Sequence, residues 1–372
     1  MDMGEAAIEK PKVRLKFIDL ARAIAILLML EGHFVGLTLA DQALYKDHPV
    51  YMVWNFIRGF TAPLFFTVAG MIFTYLLMGA KEVHFWKRVR VRKGLMRAGE
   101  LLVWGYVLQL WIKSWRDYLR GNFSDWFYAF HVLQCIGMGL ILLILVAWIC
   151  SFFKKLPLYV GYLITLVVAL MFYSWMKGLP EGAYFPEGAP QLVQNMFRGK
   201  YSVFPIVPWL AFPLLGGALG AFLRNERVSG TGAMAKYWLF LVALGLRLLW
   251  GVIPEIPGLS AEVIEGFSWF AGRASQVVFF LGLLRWIEIR WGIGLSWMRR
   301  VGQETFAIYI FHVMVLYGGT FGLGLKNWYK EALSPWEAAG GALLFVSFFA
   351  GYAVLLNMWK ARRRAAKLVA AG

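Results

Sequence analysis

Long apolar runs separated by short charged clusters dominate this chain. Apolar windows fall near residues 17–40, 54–78, 94–112, 126–151, 157–176, 203–223, 235–253, 266–287, 303–322 and 336–359. A helix needs roughly 20 predominantly apolar residues to cross the hydrocarbon of a bilayer. The pattern therefore predicts an all-α, polytopic transmembrane bundle of about ten spans. Arg97 and Glu100 interrupt the third window and Arg273 the eighth. No soluble insertion and no internal repeat breaks the series, so residues 1–372 read as a single transmembrane domain. Irregular stretches lie at 41–53, 113–125, 177–202 and 254–265. The longest of these, 177–202, either covers a site at one membrane face or links two helices.

Composition strengthens this reading. The chain is 60% hydrophobic, against about 45–50% for a soluble domain. Its net charge of +17 does not point to nucleic acid, because there is no soluble basic domain to bind it. The charge follows the positive-inside rule instead. With the N-terminus inside, the inner segments hold 25 Lys and Arg residues and the outer loops 10. That bias alternates loop by loop and predicts that both termini are cytoplasmic. The basic runs at 87–93 and 360–367 are expected to face anionic lipid heads. A charged N-terminus followed by an apolar run too long for a signal-peptide core reads as an uncleaved first span. Cys135 and Cys150 share one apolar segment, which argues against a structural disulfide.

Ionisable groups in hydrocarbon are costly, so each calls for a partner or a cavity. The first span carries Asp19, Arg22 and His33. Asp19 and Arg22 are i, i+3 neighbours. Arg22 and His33 are eleven residues apart, which places them on one helix face about 16 Å apart along the axis. A fixed cation and a titratable base thus share a stripe through the membrane. The bland alternative is an Asp19–Arg22 pair and a histidine bonded to a neighbouring helix. Glu31 lies on nearly the opposite face and suits a helix contact. Further polar groups are Arg58, Gln109, His131, Gln134, Arg247 and Arg273 toward the outside, and Arg97, Glu100 and Glu304 toward the inside. Tyr309 and His312 are i, i+3 neighbours on the ninth span. Together they predict a polar cavity through the bundle, which suits a transporter as well as an enzyme. The five histidines show no metal-ligand spacing. There is no Walker loop and no GxSxG motif. The segment 216-GGALG-220 suits helix packing.

Arg22-x10-His33 in the first span resembles the signature of acyltransferase 3 type membrane acyltransferases. The stretches 62-APLFFTVAG-70, 132-VLQCIG-137 and 205-PIVPWLAFPLLGGALG-220 are more similar to the heparan-α-glucosaminide N-acetyltransferase branch and its bacterial relatives. The stretch 302-GQETFAIYIFH-312 resembles a G-x-x-(S/T)-x-x-I-Y-x-x-H pattern near the end of both. The resemblance covers most of the chain. It implies transfer of an acetyl or other acyl group from cytoplasmic acetyl-CoA or another acyl-CoA to an extracytoplasmic carbohydrate or glycolipid. The acceptor group is a hydroxyl or an amine, and no metal takes part. In that reading His33 is the base or acyl carrier, and Arg22, supported by Asp19, meets CoA. Arg58, His131, Gln134, Arg247, Arg273, Tyr309 and His312 are expected around the substrates. The heparan-type branch places its catalytic histidine in the first outside loop, where this chain has His48, so both histidines are candidates and His33 is preferred. The implied location is a bacterial inner membrane, with membrane lipids as neighbours. A homodimer is compatible with the sequence. The rival classes are a secondary transporter and a non-catalytic protein that binds or exports a lipid-linked sugar through the same polar tunnel.

Overall fold

A computed structural model describes residues 15–41, 47–79, 84–111, 114–153, 155–180, 185–186, 188–224, 231–292 and 295–369. Among these residues there are helices and no strands. The long helices are α1 (Lys16–Thr38), α2 (Pro49–Leu77), α3 (Val89–Val107), α4 (Val132–Cys150), α5 (Leu158–Gly178), α6 (Ala211–Phe222), α7 (Ala233–Val252), α8 (Ala261–Trp291), α9 (Ser296–Gln303), α10 (Thr305–Tyr317) and α11 (Pro335–Val369). Every predicted apolar window carries a helical segment. Among the described residues, seven helices are long and apolar enough to cross a membrane, or eight if the bent pair α9–α10 is one span. Two windows differ for physical reasons. The start of α3 is crowded with Arg and Lys. The window at 203–223 is broken at Val207, whose backbone is extended (φ −109°, ψ 131°), which leaves the short turn Ile206–Trp209 ahead of α6.

Helix α1 is the axis of the fold. Its Phe17, Ile18, Ala21 and Ala25 belong to the larger apolar core, shared with α2 to α8. Its Ala23, Ile26, Leu30 and Phe34 belong to a second core shared with α9, α10 and α11. Apolar residues on two sides of α1 are therefore buried against two different sets of helices. Small residues set the closest approach in the first core. A Cβ on Gly216 would lie 1.9 Å from the Thr67 carbonyl oxygen, and one on Gly220 2.2 Å from that of Met71. The backbones of α2 and α6 therefore touch, as small-x-x-x-small spacing permits.

Around this frame two buried charges are matched. Arg285 and Glu288 pair at 2.9 Å. Glu304, at the α9–α10 bend, accepts from Lys360 Nζ at 2.6 Å and Asn357 Nδ2 at 3.1 Å. Such pairs offset the cost of placing charge among apolar side chains.

Candidate active site

Helices α1, α2, α3, α4 and α10 enclose a cavity of about 1370 Å³. Its two ends differ in chemistry. At one end lie Arg22 from α1 and Arg90, Lys93 and Arg97 from α3. The last three are spaced i, i+3, i+7, which puts them on one helix face. Arg22 donates to Thr305 Oγ1 at 3.0 Å. Arg97 pairs with Glu100 at 2.9 Å and lies 3.9 Å from the centre of the Phe306 ring. At the other end lie His33, Arg58, His131, Trp126, Tyr317, Lys326 and Asn327. Between the ends the wall is mostly apolar, with Gln134, Gln109 and Tyr309 set into it.

His33 is half-buried, and its Nδ1 lies 3.1 Å from Nε2 of the fully buried His312. His312 Nδ1 in turn lies 3.2 Å from the carbonyl oxygen of Ile308. A carbonyl only accepts, so His312 Nδ1 carries the hydrogen. In the neutral pair His312 Nε2 is then the acceptor, and His33 Nδ1 must donate to it. The remaining nitrogen of His33, Nε2, keeps its lone pair. A chain of two hydrogen bonds thus selects the tautomer of a histidine on the cavity wall. The Tyr309 and Tyr317 rings pack around the pair, with centroids 5.0 Å from His312 and 6.2 Å from His33.

Arg58 reaches from α2 across α1, with its Cγ over Gly32 and its guanidinium over Gly36, both at ordinary contact distance. It also lies 5.4 Å from the centre of the Trp54 ring. The Trp54 indole donates to Glu31 at 2.8 Å, so Glu31 serves the α1–α2 contact. Glycines on either side of His33 therefore let a cation settle beside it.

Among the described residues that line this cavity, three side chains hold polar atoms that are buried and without hydrogen-bond partners. They are both amide atoms of Gln134, Oε1 of Gln109 and Nε2 of His131. The Gln109 Nε2 is used, donating to the Ala129 carbonyl at 3.0 Å. The Gln134 amide lies against bare backbone, since a Cβ on Gly105 would fall 2.6 Å from its Cδ. Each unpaired buried polar group costs about 1–3 kcal/mol. Clustered along one cavity, such atoms can exchange hydrogen bonds with water or with a polar ligand.

The structure thus brings Arg22, His33, Arg58, His131, Gln134 and Tyr309 together on one cavity, with His312 directly behind His33. Asp19 is buried outside that wall, with its backbone oxygen against Gly302. His48 is exposed at the N-terminus of α2, where its Nδ1 accepts from the Val50 N–H at 3.3 Å. Arg247 and Arg273 line a separate, smaller cleft. Of the 87–93 basic run, expected at lipid heads, Arg90 and Lys93 line the cavity instead. The i, i+3, i+7 spacing with Arg97 was the available signal. Among the described residues no group of three His, Cys, Asp or Glu side chains is placed to hold a metal ion.

A family model described as heparan-alpha-glucosaminide N-acetyltransferase, catalytic, matches residues 14–249. That stretch carries the α1 to α4 walls of the cavity, and α10 lies beyond it. No curated protein matches the chain.

Proposed function

The chain belongs to the heparan-alpha-glucosaminide N-acetyltransferase catalytic family and is a membrane-bound acetyltransferase, and from that membership we propose that the cavity holds acetyl-CoA along its length and transfers the acetyl group at the His33 end to a carbohydrate amine or hydroxyl. One observation carries this reading. A single cavity joins a cluster of four cations to a histidine of selected tautomer, over a gap that helix geometry sets at about 16 Å. Pockets for drug-sized ligands measure roughly 300–1,000 Å³, so about 1370 Å³ leaves room for donor and acceptor together.

In this reading Arg22, Arg90, Lys93 and Arg97 hold the phosphates of CoA, guanidinium forks being suited to phosphate oxygens. The pantetheine arm then runs along the apolar wall. It contains two secondary amides, each with one N–H and one C=O. The Gln134 amide has a free acceptor and a free donor, the complementary pair. Gln134 faces Gly105, two turns beyond Arg97 on α3, so it meets the arm nearer its thioester end. The thioester reaches His33 and Arg58. His33 Nε2 takes a proton from the acceptor nitrogen or oxygen as that atom bonds to the thioester carbonyl carbon. The resulting Nδ1–H imidazolium is steadied by His312 Nε2, and Arg58 supplies a fixed positive charge beside the developing oxyanion. Collapse breaks the C–S bond, and the CoA sulfur recovers the proton from His33. Trp126 at the mouth offers an aromatic face to a sugar, with the His131 Nε2 available to a sugar hydroxyl. The acceptor approaches from outside and CoA from the cytoplasm.

The test is acetyl transfer from acetyl-CoA to a glucosamine-terminated acceptor by the purified protein. His33→Ala is expected to bind CoA and to lose about 10²–10⁴-fold in rate, with His48→Ala losing far less. Arg22→Ala is expected to raise the KM for acetyl-CoA more than that for acceptor, and Arg22→Lys to recover part of the loss. A dead His48→Ala beside an active His33→Ala moves the chemistry to the loop before α2. Absence of acetyl-CoA consumption by the wild type favours the transporter or sugar-binding alternatives.

A further inference from the structure

Arg247 and Arg273 lie apart from the cavity of the proposed active site. They line a cleft of about 420 Å³ between α7 and α8, with Trp250, Ser268, Trp269 and Gln276. Both cations sit on prepared surfaces. The Arg247 guanidinium carbon lies 3.8 Å from the centre of the Trp250 ring. That ring packs on bare backbone, since a Cβ on Gly272 would fall 2.9 Å from Trp250 Cδ1. The Arg273 guanidinium lies over Gly59 of α2, where a Cβ would fall 3.1 Å from it. Neither arginine has a carboxylate or a hydrogen-bond partner among the described residues. Two further buried atoms in the same cleft lack partners: the Ser268 hydroxyl and Gln276 Oε1.

Placement decides what must supply the missing partner. Both arginines lie inside long apolar helices, and only 22% of the α7 window is buried within the protein, so α7 is peripheral. Arg247 and Trp250 are exposed on it. The cleft therefore opens toward lipid, where an uncompensated guanidinium costs several kcal/mol. The back wall is α2 at Gly59, one residue from Arg58, which puts the cleft at the level of His33 and behind the active-site wall.

We propose that this cleft binds the headgroup of an anionic, hydroxyl-bearing membrane phospholipid, with Arg247 and Arg273 on the phosphate. The remaining groups name the headgroup. The Ser268 hydroxyl adds a donor to the phosphate, whereas Gln276 Oε1 can only accept and so calls for an O–H on the ligand. A phosphoglycerol head carries one net negative charge and that O–H, while a phosphocholine head has neither. The proposal does not rest on the acetyl-transfer reading.

The experiment is lipid titration of the detergent-purified full chain, read by native mass spectrometry. The probes are phosphatidylglycerol, phosphatidylcholine, diacylglycerol and soluble glycerol 3-phosphate. The wild type is expected to retain one phosphatidylglycerol more tightly than either phosphatidylcholine or diacylglycerol, and glycerol 3-phosphate should not displace it. Arg247→Gln and Arg273→Gln should each weaken that first binding about fivefold, the size of one arginine–lipid electrostatic contact. Lys330→Gln, exposed between α10 and α11 and paired with Glu331, should leave it unchanged. Arg273→Lys keeps a cation over Gly59 and guards against a folding defect, and it should bind more tightly than Arg273→Gln. Equal binding of diacylglycerol, or unchanged binding in both glutamine variants, overturns the proposal. Displacement by glycerol 3-phosphate overturns the lipid source.

Discussion

The His33–His312 contact carries the most chemistry per atom in this protein. A neutral histidine has one nitrogen to give and one to receive, and here the Ile308 carbonyl decides which is which for both rings. If His312 orients and steadies His33, His312→Ala lowers kcat by more than tenfold, with the KM for acetyl-CoA nearly unchanged. That loss should not exceed the roughly 10²–10⁴-fold of removing the base itself. His312→Gln places an amide oxygen near the lost Nε2 and should recover part of the rate. Equal kcat in wild type and His312→Ala would show that the pair is only packing. Gln134 makes a contrasting case. Its two amide atoms are buried without hydrogen-bond partners, which costs stability, and in the proposed reading they meet the pantetheine arm. Gln134→Leu is therefore expected to raise the melting temperature of the unliganded protein while raising the KM for acetyl-CoA about 2–10-fold. A lower melting temperature with an unchanged KM would count against a ligand-facing amide.

At the scale of helices, the site depends on how closely α2 can approach its neighbours. Helix α2 presents Arg58 and Phe65 to the cavity on one side and meets α6 backbone to backbone on another. Gly216→Val would put side-chain carbons where the Thr67 carbonyl oxygen now sits. Overpacking typically costs about 1–3 kcal/mol, and backbone contact leaves no flexible side chain to yield. The expected result is a lower melting temperature in detergent together with loss of acetyl transfer, since α2 must move and Arg58 with it. A variant as stable and active as wild type would mean that α2 and α6 tolerate separation. Gly340→Val, with open space around its Cβ position, is the matched control.

For the whole molecule, the two ends of the cavity must meet different compartments if CoA and a carbohydrate enter separately. The 25-to-10 distribution of Lys and Arg predicts that the Arg22 end faces the cytoplasm. Reporter fusions after residue 372 should be active on the cytoplasmic side, and fusions after Asp47 on the opposite side. Activity of both fusions on one side would overturn the predicted orientation and the proposed entry route for CoA.

Hydrophobic periodicity alone located the helical segments, because a chain in hydrocarbon must satisfy its backbone internally and has helices as its means of doing so. The Arg22–His33 stripe was equally legible, since eleven residues close three helical turns whatever the neighbours are. The glycines at 216 and 220 announced a close contact but not its partner. Pairing across several hundred residues was not legible. That His312 stands behind His33, or that Arg90, Lys93 and Arg97 join Arg22, depends on which helices lie side by side. Arg247 and Arg273 show the same limit from the other direction. They look in sequence like further members of the polar tunnel, and only the packing of α7 and α8 against α2 sets them on a cleft of their own. Sequence determined which segments are helical and which face of α1 carries polar chemistry, because both follow from local geometry. Tertiary structure decided which polar groups share a cavity, because that depends on the helix–helix contacts the bundle adopts.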